Sequence, residues 1–392
     1  MRILILSWRD PEHPFAGGAE TYVDEIGRRW ARAGHEVRWL CGRHPGQARE
    51  AERGGMLLRR QGGPYGVYPC TAWEYLLRHR GWADVVVDAE NGIPFFSPFY
   101  SRAPKVVLMH HVHREVFHHE LPPGAAHLGV FLEGRLMPWA YRNHWYVAVS
   151  RSTRDELLGL GVPAEQVAVI HNGLDDEIYR PGTEPKGDRP NALWVGRLQS
   201  YKKVSILVDA AIRCRTRRPE LRWLVAGEGP ELEPLRARIA AAGLEDVVQL
   251  LGYVDTERKV RLMQAAHVVV QTSMKEGWGM TVIEANACGT TVVASDVPGL
   301  RDSVQDRRTG RLVPCGDAEA LADGVLRIVD QPDLRRRLEH EALEWAGRFR
   351  WDRSAEQWSK LLQARLVGGD VPAFLRWDCL PSLNEPIPQP AA

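Results

Sequence analysis

Short apolar segments alternate with longer amphipathic segments along most of the chain. Residues 3–6 predict a strand, and residues 19–33 predict a helix because Tyr22, Ile26 and Trp30 recur every four positions on one face. Gly34 ends this helix. Further strands are predicted at 36–40, 84–87, 105–109, 145–149 and 167–170. This alternation is typical of a parallel sheet covered by helices on both faces.

A second series of the same kind begins after residues 181–190, a polar run rich in Pro and Gly that predicts a linker. Its strands are predicted at 192–195, 223–226, 247–250, 268–271 and 291–294. The pattern therefore predicts two Rossmann-like α/β domains, residues 1–180 and 181–350. Ligands of such sheets bind at the carboxyl ends of the strands, so we expect the site in a deep cleft between the domains. Helices are predicted at 334–343 and 354–366, and residues 367–392 predict a flexible Pro-rich tail.

Composition limits the classes of function. The chain has 392 residues, 44% of them hydrophobic and 26% charged, which is ordinary for a folded protein with a large core. The formal charge of +1 argues against a nucleic-acid partner, since such proteins normally carry a basic excess. The first apolar run is too short for a signal peptide, and no run approaches a membrane span. These observations predict a cytoplasmic protein.

The segment from Glu276 to Glu284 carries the most informative cluster. Gly277 and Gly279 allow close backbone approach, and a helix is predicted to begin near Met280. The amide groups at a helix N-terminus, helped by its dipole, suit an anion such as a diphosphate. A glycosidase acid–base pair fits poorly, because eight helical residues rise about 12 Å and such pairs need roughly 5 to 9.5 Å. A solvated helix end remains the alternative interpretation.

Two cations follow the strand predicted at 192–195. Arg197 and Lys202 could hold a diphosphate, Arg as a planar fork and Lys as a point charge, although loop cations are often only solvated. Lys203 is an alternative to Lys202. The sequence from Gly227 to Gly229 lacks the third glycine of a dinucleotide motif, because Leu232 stands there, which argues against a nicotinamide dehydrogenase.

Gly17 and Gly18 follow the first strand and open a helix, but they match neither a Walker A nor a dinucleotide motif. His110 ends another strand and predicts a group that hydrogen-bonds a ligand; a surface histidine cluster is the alternative. The neighbouring histidines show no third ligand at metal-binding spacing, so no metal is predicted. They are His111, His113, His118 and His119.

Taken in order, these motifs resemble glycosyltransferase family 4. The matches are Gly17-Gly18-Ala19-Glu20, His110, Val149-Ser150, His171-Asn172-Gly173, Gly196-Arg197-Leu198 with Lys202, Gly227-Glu228-Gly229-Pro230, and Glu276 to Glu284. Phe349-Arg350-Trp351 resembles the closing segment of the family. The resemblance implies the GT-B fold, with an acceptor-side N-terminal domain and a C-terminal domain that binds a nucleotide sugar. It also implies that a helix at 351–366 crosses back to the N-terminal domain.

The resemblance also implies roles for residues. Gly17 and Gly18 would approach the donor phosphates, and His110 would contact the sugar near its 6-position. Arg197 and Lys202 would neutralise the diphosphate. Glu276 and the amides of Gly279, Met280 and Thr281 would hold the sugar, and Glu284 would bind the ribose hydroxyls. The family often has Gly after the clamp lysine, where this chain has Lys203.

The expected activity is transfer of a hexose from a nucleotide diphosphate sugar to an acceptor hydroxyl, with retention and without a metal or other cofactor. The acceptor would be a cell-envelope glycan, a lipid-linked molecule or a small molecule. Alternatives are a non-catalytic nucleotide-sugar binding protein and a GT-B epimerase or phosphorylase. Residues 135–142 mix basic and aromatic side chains, which is typical of an interfacial helix at the inner face of the membrane or of an ordinary amphipathic helix.

Overall fold

The computed structural model describes residues 1–376, and contacts between residues divide the chain into two units. The first unit contains Met1–Gly173 and the segment that begins at Trp351, and the second contains Leu174–Arg350. The division falls before the predicted linker because the amide of Leu174 donates to the carbonyl of Phe349, which ties this segment to the second unit. Residues 181–190 also pack on the second unit, where Lys186 Nζ contacts Glu339 at 3.1 Å.

The first unit is built on an eight-stranded sheet with the order β3-β4-β2-β1-β5-β6-β7-β8. Its strands are β1 (Arg2–Ser7), β2 (Glu36–Gly42), β3 (Glu50–Arg53), β4 (Met56–Gln61), β5 (Val85–Glu90), β6 (Lys105–Met109), β7 (Trp145–Ala148) and β8 (Val167–Val169). Its first helices are α1 (Gly18–Arg32), α2 (Val67–Glu74), α3 (Arg114–Glu120), α4 (Pro123–Phe131), α5 (Met137–Ala140) and α6 (Arg151–Gly159). Two π-helical turns, Tyr75–His79 and Leu132–Leu136, continue α2 and α4.

All pairs in this sheet are parallel except β3 with β4, which form an antiparallel hairpin at the edge. The sequence pattern missed this hairpin because three of the four residues of β3 are charged and three of the six residues of β4 are polar or charged. Arg60 of β4 is buried and makes a two-pronged ion pair with buried Asp10, at 2.8 and 3.1 Å. This ion pair fixes the loop between β1 and α1, which leads to Gly17.

The second unit is built on a parallel sheet with the order β11-β10-β9-β12-β13-β14. Its strands are β9 (Asn191–Val195), β10 (Arg222–Ala226), β11 (Val248–Gly252), β12 (Val268–Gln271), β13 (Val292–Ser295) and β14 (Gly310–Val313). Its helices are α7 (Ile206–Arg215), α8 (Leu232–Ala241), α9 (Thr256–Ala265), α10 (Met280–Ala287), α11 (Leu300–Ser303), α12 (Ala318–Asp330) and α13 (Pro332–Ala346). Alternate residues of β9 enter two separate apolar cores, Trp194 in one and Leu193 in the other, so helices cover both faces as the pattern predicts.

The last helix, α14 (Trp351–Leu366), packs on α1 in the first unit. Trp358 Nε1 donates to the hydroxyl of Tyr22 at 2.7 Å, and that hydroxyl donates to the carbonyl of Ile170 at 3.0 Å. The segment after α14 was predicted to be flexible, but Val371 and Leu375 are buried. Residues 377–392 of the predicted tail lie outside the described residues. Among the helices in residues 1–376, none combines the length and hydropathy of a membrane-spanning segment.

Candidate functional site

Lys202 and Glu276 meet at the carboxyl ends of two neighbouring strands of the second unit, β9 and β12. Lys202 ends a 3₁₀ turn, Ser200–Lys202, and its ammonium forms an ion pair with the Glu276 carboxylate. The hydroxyl of Ser273 donates to the same carboxylate at 2.7 Å. The two loops are also joined through their backbones, because Thr272 Oγ1 donates to the carbonyl of Lys202 at 2.7 Å. The sequence could not predict this pairing, since the two residues are far apart along the chain.

The environment of Lys202 keeps its ammonium charged. Burial is the largest single influence and lowers the pKa of Lys202. The charge and hydrogen bond of Glu276, together with Tyr201, outweigh burial, so the pKa lies above the usual value. Arg197 follows β9, is exposed, and lies close enough for its positive charge to oppose this rise. The predicted cations and Glu276 therefore belong to one cluster, in which two cationic side chains accompany one carboxylate.

Close backbone packing holds the loop that carries Arg197. A Cβ atom on Gly227 would lie 1.8 Å from the carbonyl oxygen of Gly196, and a Cβ atom on Gly229 would lie 2.3 Å from that of Leu198. Only glycine fits at these two positions. The two loops also exchange hydrogen bonds, including one from the amide of Leu198 to the carbonyl of Glu228 at 2.8 Å. The loop with Arg197 is therefore held by the loop that contains Gly227 and Gly229, which is also one of the sequence motifs.

Lys203 adopts a left-handed backbone conformation, with φ of 51°. Most side chains avoid this region, and glycine enters it without steric cost. The loop thus keeps a shape that suits the glycine common in the family at this position, although the residue is Lys203.

The helix α10 begins at Met280, as predicted. Gly279 precedes it with φ of 82°, a left-handed conformation that favours glycine. Because the first amide groups of a helix have no intrahelical acceptor, those of Met280 and Thr281 are suited to an anion or a hydroxyl. Glu284 lies further along α10 and is buried, and its carboxylate accepts from Lys259 Nζ at 2.9 Å. It also contacts Tyr179. The two carboxylates of the motif therefore have different cationic partners, Lys202 for Glu276 and Lys259 for Glu284.

His110 lies in the first unit, at the end of β6, beside a small cavity lined also by Arg9, Glu20 and Asn91. Burial lowers the pKa of His110 to about 3, with smaller contributions from His111 and a third histidine. Its imidazole is therefore neutral at physiological pH. The buried Nε2 atom has no hydrogen-bond partner among the described residues, which leaves it available to a ligand.

Gly17 and Gly18 stand at the start of α1, next to the residues that line this cavity. The amide of Gly17 donates to Glu20 at 2.7 Å, and Glu20 also pairs with Arg9 at 3.2 Å. The sequence motif contains Glu20 but predicts no role for it. Arg9 was not predicted as a site residue, because no sequence motif contains it. Of the other histidines, His118 and His119 are exposed on α3.

Comparison with known proteins agrees with the resemblance. The family model for Glycosyltransferase Family 4 matches residues 16–178, and the model for Glycosyl transferases group 1 matches residues 175–345. The D-inositol 3-phosphate glycosyltransferase of Kribbella flavida is 34% identical over 213 residues, which cover 50% of each chain. That of Corynebacterium efficiens is 30% identical over 254 residues, covering 58% of this chain and 60% of the relative. These matches thus span little more than half the length of the curated relatives.

Solved structures share the fold at low sequence identity. Sucrose-phosphate synthase from Thermosynechococcus elongatus matches with a TM-score of 0.80 and 23% identity over 94% of this chain and all of that one. Anabaena HepE in complex with UDP matches with a TM-score of 0.72 and 21% identity over 93% of this chain and all of that one. These similarities identify the fold as GT-B. The two family models together span residues 16–345, and the chain belongs to the family 4, group 1 glycosyltransferases.

Proposed function

We propose that the protein transfers a hexose from a nucleotide diphosphate sugar to an acceptor hydroxyl, with retention of the anomeric configuration and without a divalent metal at the diphosphate. The cluster of Arg197, Lys202 and Glu276 beside the start of α10 is the observation that carries this proposal. It combines charges that suit a diphosphate with a carboxylate that suits sugar hydroxyls.

The proposed mechanism follows the charge that develops in the reaction. Cleavage of the bond from the anomeric carbon to the phosphate oxygen leaves negative charge on the diphosphate and positive charge on the sugar ring. Arg197, Lys202 and the amides of Met280 and Thr281 stabilise the departing diphosphate. The acceptor oxygen then bonds to the anomeric carbon on the face the diphosphate leaves, and its proton passes to the leaving phosphate oxygen.

Glu276 and His110 are proposed to orient the sugar. The Glu276 carboxylate can accept hydrogen bonds from sugar hydroxyls while Lys202 and Ser273 hold it in place. His110 Nε2 is proposed to hydrogen-bond the sugar hydroxyl at the 6-position. Glu284 is proposed to bind the ribose, with Lys259 fixing its carboxylate. Gly17 and Gly18 are proposed to approach the donor phosphates.

A small-molecule acceptor with a phosphate group is our preferred acceptor class, because the curated relatives act on D-inositol 3-phosphate. UDP and UDP-glucose, the ligands of HepE, are the first donor probes. Release of nucleotide diphosphate is measured with and without inositol phosphate. Acceptor-dependent release supports transfer, whereas binding without release supports a binding protein, and release that ignores every acceptor contradicts the acceptor class.

A second experiment tests stereochemistry and metal dependence together. The initial rate is measured with and without EDTA, and the product is analysed by NMR at the anomeric proton. We expect retained configuration and a rate that added Mg²⁺ does not raise after EDTA treatment, because protein cations offset the diphosphate charge. A rate lost to EDTA and restored by Mg²⁺ would contradict the metal-free diphosphate site, and an inverted product would contradict retention.

We also propose that the first unit contacts anionic membranes in a peripheral manner. Arg135, Trp139 and Arg142 are exposed around α5, and the ring of Trp139 lies 6.0 Å from that of exposed Phe99. Basic and aromatic side chains on one face suit an interface of anionic lipid headgroups. Co-sedimentation with phosphatidylglycerol vesicles, but not with phosphatidylcholine vesicles, is expected, and Trp139→Ala should weaken it. Equal binding to both lipids would contradict the electrostatic part of the proposal.

A further inference from the structure

Two buried carboxylates and a histidine converge in the first unit, outside the groups used above. Glu90 ends β5, His113 follows β6, and Glu133 lies in the π-helical turn Leu132–Leu136. Each can offer one ligand atom, and these atoms all lie within 4.8 Å of one another. All three residues are buried, and Glu90 and Glu133 have no exposed surface. π-Helical turns are frequent at functional sites.

The hydrogen bonds of His113 have the form expected of a metal ligand. Its Nε2 lies 3.1 Å from the side-chain oxygen of Asn91, and its Nδ1 lies 3.3 Å from a Glu133 oxygen. When Nε2 donates its proton to Asn91, Nδ1 presents a lone pair to the carboxylate, and two acceptors face each other. A cation or a proton must lie between them. Metal-bound histidines usually donate their other ring N–H to a carbonyl or carboxylate, and in this tautomer His113 would donate to the Asn91 oxygen in the same way.

A divalent cation suits the two buried carboxylates of the cluster, Glu90 and Glu133. A divalent ion with a neutral imidazole offsets both. Both oxygens of Glu90 are buried and lack a partner at normal hydrogen-bond geometry, and the backbone amide of Gly92 interacts with this carboxylate, which also offers one oxygen to the cluster.

We propose that Glu90, His113 and Glu133 bind one divalent transition-metal ion of the Zn²⁺ or Mn²⁺ class. One nitrogen and two carboxylate ligands suit these ions. Such ligands bind Zn²⁺ tetrahedrally at about 2.0–2.2 Å, which places them about 3.4 Å apart. His113 Nδ1 and the Glu133 oxygen already have this separation, at 3.3 Å, whereas the pairs within 4.8 Å would have to contract by up to about 1.4 Å on binding. The ion would join the carboxyl ends of β5 and β6 to the π-helical turn.

The ion would position residues of the neighbouring cavity without touching the diphosphate. Asn91 follows Glu90 directly and lines the cavity with His110. Holding Glu90 and His113 on one ion fixes the two loops that carry these cavity residues. None of the three ligands belongs to the cluster of Arg197, Lys202 and Glu276, so the ion would not replace the protein cations at the diphosphate. Failure of one proposal therefore leaves the other standing.

The test begins with the metal content of the full chain, purified after growth with added Zn²⁺ and Mn²⁺ and measured by mass spectrometry. We expect about one ion per chain after gel filtration. The chelator-treated protein is then titrated with Zn²⁺, Mn²⁺ and Mg²⁺ while thermal unfolding is followed. A raised melting temperature with Zn²⁺ or Mn²⁺, and a smaller effect of Mg²⁺, supports a site with a nitrogen ligand.

Variants locate the site. Glu90→Gln and Glu133→Gln keep the side-chain shape, and each should abolish the bound ion and the shift in melting temperature. Glu115→Gln and His118→Gln are matched controls on the exposed surface of α3, and they should keep both. An ion lost in His118→Gln but kept in Glu90→Gln would place binding at the surface histidines and overturn the proposal. Protein with no bound ion and no shift, or Glu90→Gln more stable than wild type without metal, would assign a proton instead.

Discussion

The strongest test of the diphosphate site compares two adjacent lysines. In Lys202→Met the stem keeps its packing and the ammonium is lost, and Lys203→Met is the matched control. We expect Lys202→Met to lower kcat/KM by about 100-fold or more, which corresponds to about 2.7 kcal/mol of transition-state stabilisation. Lys203→Met should stay within about threefold of wild type, a change below 1 kcal/mol.

The structure requires a second control, because Lys202 is also the partner of Glu276. The side chains of this pair are 15% and 18% exposed, so removal of the ammonium takes a cationic partner from a largely buried carboxylate that also accepts from the Ser273 hydroxyl. A loss of about 1–3 kcal/mol in the free energy of unfolding is expected. The double variant Lys202→Met/Glu276→Gln removes the isolated charge, so it should recover stability without recovering activity.

The assay is release of nucleotide diphosphate under saturating acceptor, with urea unfolding measured on the same samples. Full activity in Lys202→Met together with a large loss in Lys203→Met would show that the clamp lies one residue later. Recovery of activity in the double variant would show that the single variant failed through instability. Either result would refute the reasoning.

Four further changes follow from the described contacts. Glu276→Gln should lower transfer by about 100-fold or more while nucleotide diphosphate still binds; an equal loss of diphosphate affinity in calorimetry would contradict its role at the sugar. His110→Ala should lower kcat/KM. Because burial lowers the pKa of His110 to about 3, the wild-type rate should show no ionisation of this histidine from about pH 5 to 8. A wild-type rate that falls near the ordinary histidine pKa, with no such fall in His110→Ala, would refute the neutral state of His110. Lys203→Gly relieves about 1–2 kcal/mol of strain from the left-handed backbone and costs about 0.4–1 kcal/mol of chain entropy. The free energy of unfolding in urea should therefore be equal or slightly higher than in the wild type. A clear decrease in this free energy would argue against strain at Lys203. Arg60→Met leaves buried Asp10 without its cation and should cost about 3–5 kcal/mol of unfolding free energy; a loss below about 1 kcal/mol would mean that the pair is solvated.

The sequence by itself determined the repeated strand–helix units and the helix that starts at Met280. Apolar runs such as that of β6 are buried on both faces, so the hydrophobic pattern reports them directly. The same argument failed for β3 and β4, because β3 has no buried residue and two of the four buried residues of β4, Arg60 and Gln61, are polar. The pattern also missed β14, a short strand with only partial burial.

Only the tertiary structure decided which charged groups meet. The sequence selected Arg197, Lys202 and Glu276 as separate candidates, and the fold joins them because β9 and β12 are neighbours although two strands separate them along the chain. The proposed metal site could not be predicted from the sequence for the same reason. His113 has no metal ligand at a recognisable spacing, since its partners Glu90 and Glu133 come from a different strand and from a π-helical turn. Local patterns determine elements, whereas the strand order determines which side chains share a site, because the carboxyl ends of parallel strands bring together loops that are distant along the chain.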